Sequence, residues 1–103
     1  MKRIGNEIYI APKISGNGNI EYALWVDTDG NLYIQITGNE DSGTFSNYFF
    51  SVSKYQTNRY SKKALGNLEA YNFRTKKIEI VEDNNNGAFL KAVLQNLLPN
   101  NEK

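Results

Sequence analysis

The chain has 103 residues, 40% of them hydrophobic, with eight glycines, no cysteine, no histidine and a net charge of +1. That size and apolar content fit one domain with one continuous core, residues 1–103, and exclude a disordered chain. The two missing residue types exclude disulfide scaffolds, thiolate or imidazole metal sites, and nucleophilic catalysis built on Ser-His-Asp or Cys-His. No run approaches the ~20 apolar residues that span a bilayer, and Met1-Lys2-Arg3-Ile4-Gly5-Asn6-Glu7 is followed by no apolar leader core. The expectation is a soluble cytoplasmic protein with no membrane contact.

In chain order, Glu7 to Ala11 reads as a short strand stopped by Pro12, and Ser15-Gly16-Asn17-Gly18-Asn19 as a turn. Ile20 to Thr37 then carries Asp29-Gly30 between two strand-like runs, which predicts a hairpin with a two-residue type I′ loop. Setting Thr28 opposite Asn31 places Trp25 opposite Ile34 and Leu24 opposite Gln35. One face then collects Ala23, Trp25, Leu32, Ile34 and Ile36 as core. The other collects Tyr22, Leu24, Val26, Tyr33, Gln35 and Thr37, to lie under the rest of the chain or to meet a partner.

A third strand is expected from Phe45 to about Ser53 after the turn-rich Gly38-Asn39-Glu40-Asp41-Ser42-Gly43. Lys54 to Asn67 has neither helical nor strand period and reads as a long loop with room for one helical turn. Leu68 to Phe73 and Lys77 to Val81 form a second hairpin around Arg74-Thr75. Asn84-Asn85-Asn86-Gly87 supplies capping groups for a helix from Ala88 to Leu98, ended by Pro99. Its stripe of Phe89, Leu90, Val93, Leu94, Leu97 and Leu98 needs a cover, for which the Trp25 and Ile34 face is the expected partner. The predicted class is α+β: a mostly antiparallel sheet of about five to six strands packed against one C-terminal helix.

Chemistry-bearing patterns are few. Asp27-Thr28-Asp29-Gly30-Asn31 imitates a calcium loop, but an EF-hand needs glycine sixth and glutamate twelfth, where Leu32 and Gly38 stand. No nucleophile elbow, Walker or dinucleotide glycine motif occurs, and no acid pair stands out among Glu21, Asp41, Glu79 and Glu82. A non-enzymatic protein without metal or cofactor is expected.

The charge is unevenly spread. From Lys54 to Lys77, seven basic residues face Glu69 alone, a net of +6, while the flanks hold five basic against ten acidic residues, a net of −5. Tyr55, Tyr60, Tyr71 and Phe73 interleave with these cations, the combination that follows phosphates and stacks bases on single strands. The leading expectation is therefore a binding module for single-stranded nucleic acid that uses Lys54, Tyr55, Arg59, Tyr60, Lys62, Lys63, Arg74, Lys76 and Lys77. The alternative is a protein-binding or self-associating accessory protein, such as a homodimer, whose interface is Tyr22, Leu24, Val26 and Tyr33.

Overall fold

The computed structural model describes residues 1–39, 47–61, 65–81 and 86–98. The elements are β1 (Lys2–Arg3), β2 (Tyr9–Pro12), β3 (Asn19–Val26), β4 (Leu32–Asn39), β5 (Tyr48–Ser51), α1 (Val52–Tyr55), β6 (Leu68–Asn72), β7 (Lys77–Val81) and α2 (Asn86–Leu97), with a 3₁₀ turn at Gln56–Asn58. All pairings are antiparallel: β3 to β7 run as a meander, each strand beside the next, while β1 and β2 share the free edge of β3. The α+β class and the C-terminal helix are as expected. The sheet has seven strands rather than five or six, because the first edge is divided between two short pieces.

The first hairpin differs from its expected register by one residue. Its loop is Thr28-Asp29-Gly30, closed by the Asp27 N–H to the Asn31 carbonyl at 3.0 Å and the Gly30 N–H to the Asp27 carbonyl at 3.1 Å. Gly30 sits at φ +88°, so this is a type I turn followed by a left-handed residue rather than a two-residue primed turn. A type I′ loop would require positive φ at Asp29 as well as at Gly30, whereas this loop needs it only at the glycine.

Asp27 holds the loop through its side chain. Oδ1 accepts from the Asp29 and Asn31 amides, both at 2.9 Å, and Oδ2 from Asn31 Nδ2 at 3.1 Å and Tyr33 Oη at 3.3 Å. These donors favour the ionised form, so the carboxyl is held below its ordinary pKa, the Asn31 amide contributing most.

Strand residues alternate sides, so this loop reassigns both faces. Val26 stands opposite Leu32, Leu24 opposite Ile34 and Tyr22 opposite Ile36, and this set turns toward α2. Ile20, Tyr22, Ile34, Ile36, Phe50, Leu68 and Val81 from the sheet bury against Phe89, Leu90, Val93 and Leu94, with Leu24, Leu32, Tyr48 and Leu97 packed around them. Trp25 is on the opposite side, so the helix covers the Ile34 face but not Trp25. Ile20 falls on the core side by alternation with Tyr22, and beyond that pair β4 carries one extra residue, so that Glu21 stands opposite Gly38 rather than Thr37.

Polar contacts orient the helix: Asn96 Nδ2 donates to Tyr22 Oη at 2.9 Å, Lys91 Nζ to the Ser61 carbonyl at 2.8 Å, and Gln95 to the Arg59 carbonyl. The third strand ends at Ser51 rather than about Ser53 and gives way to α1, which runs into the segment expected as a loop. Ser51 Oγ caps α1 by accepting from the Lys54 amide at 3.3 Å, and its buried Val52 and Tyr55 anchor it to the core. The second hairpin has a four-residue turn, 73–76, ending in Lys76 at φ +61°. It closes without glycine because Asn72 Oδ1 accepts from the amides of Arg74 and Thr75 at 2.9 and 3.3 Å. The expected turn at 40–43, the strand start at Phe45, the caps Asn84 and Asn85 and the stop at Pro99 lie outside the described residues. No described helix is long and apolar enough to cross a membrane.

Asp27 makes stability depend on acid. Because its folded pKa lies below its unfolded one, its contribution is complete above the ordinary carboxylate value and is lost as pH falls through the lowered one. Urea midpoints of wild type and Asp27→Asn should differ near neutrality and converge at low pH; a pH-independent gap would contradict this role.

Candidate functional site

The described members of the predicted basic and aromatic set lie in three places. Lys54 follows β5 and pairs with Glu69 at 3.5 Å, its Nζ 5.9 Å from the Tyr55 ring centroid. Arg59 is on the helix side, where its carbonyl receives Gln95; its Nη1 donates to the Gln56 carbonyl at 2.6 Å and its guanidinium lies 5.2 Å from the centroid of Tyr60, itself 50% exposed. Arg74, Lys76 and Lys77 are exposed at the β6–β7 turn. Glu69, the partner of Lys54, and Asn72, where the turn begins, are three residues apart on β6, roughly 10 Å along the strand at 3.3 Å per residue. Lys62 and Lys63 lie outside the described residues.

Tyr55 is a structural anchor in this arrangement. Only 7% exposed, its hydroxyl accepts from the Glu69 amide at 2.7 Å and donates to the Glu69 carbonyl at 3.1 Å, tying α1 to β6. Burial raises its pKa above the usual phenol value, with the Glu69 backbone bond acting in the opposite direction.

The predicted interface set is divided by the one-residue register. Tyr22 is 2% exposed in the core, while Leu24 packs against that core and Val26 shares their face. Tyr33 is on the other side, opposite Trp25, its hydroxyl on Asp27; burial and the Asp27 charge raise its pKa. The face with Tyr22, Leu24 and Val26 is thus the one that α2 covers.

The other face carries a row of rings. The ring of Phe49 has its centroid 5.0 Å from Trp25, 5.6 Å from Phe73 and 6.1 Å from Tyr71, with interplanar angles of 26°, 14° and 28°. Trp25 Nε1 donates to Gln35 Oε1 at 2.7 Å, which satisfies the indole and fixes the ring over β4. Phe49 is left only 3% exposed although no described helix lies on this face, so among the described residues the rings themselves form a thin second apolar layer.

Cross-strand pairing carries this layer outward. Tyr71 stands opposite Phe49 on one side and Ile78 on the other, and Ile80 stands opposite Glu69. Phe73, Ile78 and Ile80 are 41%, 64% and 62% exposed, so the apolar area opens to solvent at the β7 edge. A depression of about 120 Å³ beside them, lined by Tyr33, Phe49, Ser51, Lys54, Glu69 and Tyr71 among others, is smaller than the ~300 Å³ at which small-molecule sites begin. The arrangement offers apolar contact area bordered by the Lys54–Glu69 pair on one side and by the cations of the β6–β7 turn on the other.

Sequence reasoning passed over Trp25, Phe49, Phe73, Ile78 and Ile80 as a group. The signal was available: with a three-residue loop, Ile20, Tyr22, Leu24, Val26, Leu32, Ile34 and Ile36 fall on one side and Glu21, Ala23, Trp25, Tyr33 and Gln35 on the other.

Removal of the Tyr55 hydroxyl should cost about 1–3 kcal/mol, because the Glu69 amide loses its acceptor in a half-buried place. An unchanged urea midpoint for Tyr55→Phe would show that water replaces it without cost. Comparison of the chain with models of known protein families, with curated proteins and with solved structures returns no match.

Proposed function

We propose that this chain is a non-enzymatic binding module whose working surface is the open sheet face at its β6–β7 end, and whose partner is a protein. The observation that carries this reading is the pair Ile78 and Ile80, each more than 60% exposed on the face that holds the ring row. Burying a side chain of this kind is worth about 1.5–3 kcal/mol, a reward that only an apolar partner surface collects.

Single-stranded nucleic acid fits this surface less well. Bases stack on open ring faces, yet Phe49 at the centre of the row is stacked against Trp25, Tyr71 and Phe73 and is only 3% exposed. Among the described cations, Lys54 is paired with Glu69 and Arg59 lies on the helix side, so neither extends the Arg74 to Lys77 group into a line along this face. Aliphatic side chains offer bases no ring to stack on.

The test is photo-cross-linking in cell extract with a photoreactive residue at position 78 or 80, and at the exposed Ile14 as control. Protein adducts should form at 78 and 80 and not at 14, with labelled single-stranded oligonucleotides left unlinked. Oligonucleotide adducts, or equal labelling at all three positions, would overturn the reading.

A further inference from the structure

The two edges of the sheet are built differently. The first is split between β1, two residues long, and β2, which ends in Pro12; short strands and proline both discourage strand addition. The second is β7, Lys77-Ile78-Glu79-Ile80-Val81, a continuous strand with no proline or glycine, and among the described residues no strand pairs with its outer side. Its β-branched side chains suit an extended partner.

Its charges are self-complementary. Lys77 and Glu79 flank Ile78 on one side of the strand, so an antiparallel copy centred on Ile78 sets Lys77 of each chain opposite Glu79 of the other. Ile78 then meets Ile78 on the open face, and the two apolar borders become one. Glu79 accepts one bond on each oxygen, from Asn72 Nδ2 at 3.2 Å and Thr75 Oγ1 at 2.8 Å. These fix the carboxylate and leave acceptor positions for an ammonium. A pairing centred on Glu79 would instead oppose two carboxylates.

We propose that two copies of this chain join edge to edge through β7, antiparallel and centred on Ile78, in one continuous sheet. This rests on the reading of the β6–β7 end as a protein-binding surface, and names a second copy as its occupant.

Sedimentation equilibrium of the full chain should show a concentration-dependent dimer. Lys77→Glu should weaken association by about tenfold, because both cross-strand pairs become repulsive. The double exchange Lys77→Glu with Glu79→Lys should bring affinity back toward wild type, which a generally damaged fold would not do; circular dichroism checks that each variant is folded. A wild type that stays monomeric at its highest soluble concentration, or a dimer indifferent to Lys77→Glu, would overturn the pairing. Monomeric behaviour with persistent cross-links from position 78 to other proteins would reject the second copy and keep the binding surface, whereas loss of both would reject both.

Discussion

One carboxylate and one glycine determine which side chains of the central hairpin meet the helix. Asp27 gathers four donors into the turn and Gly30 takes the left-handed position, so the loop holds three residues. With two residues in the loop, Trp25 would turn toward α2, and Leu24 would leave the core side or lose its place beside Ile34. The cost would be spread over every pair from Tyr22 with Ile36 to Val26 with Leu32. Local turn chemistry and the aliphatic pattern agree on the same register, which is how consistency across levels selects one structure.

Much of the architecture is legible in residue order. Pro12 marks the end of β2, the Leu68 and Lys77 runs form their hairpin, and Phe89, Leu90, Val93 and Leu94 announce a helix that needs a sheet beneath it. Three features were hidden. Asp29-Gly30 is compatible with both a two- and a three-residue loop, and the dipeptide alone does not separate them. Lys2–Arg3 is too short to show a period, and its pairing with Val26 and Trp25 depends on tertiary contact. Val52 and Tyr55 belong to a single helical turn whose stability comes from anchoring in the core rather than from propensity.

The candidate site was less legible than the fold, for a physical reason. Seven cations are close in sequence, but among the described ones Lys54 stands on α1, Arg59 follows the 3₁₀ turn on the helix side, and Arg74, Lys76 and Lys77 sit at the β6–β7 turn. The apolar surface arises in the opposite way: Trp25, Phe49, Tyr71 and Ile78 are distant in the chain and are collected by four strands in register. Alternation within one strand cannot reveal a surface assembled across a sheet. The result is a sheet closed by a helix on one side and thinly layered with rings on the other, where aliphatic side chains at the border remain in water.

The register of the central hairpin is measured most directly by backbone nuclear Overhauser contacts across β3 and β4. The account predicts contacts that join Leu24 with Ile34 and Val26 with Leu32, and an indole proton of Trp25 near the Gln35 side chain. Contacts joining Leu24 with Gln35 and Val26 with Tyr33 would contradict it, exchange the two faces, and return the ring row to the covered side.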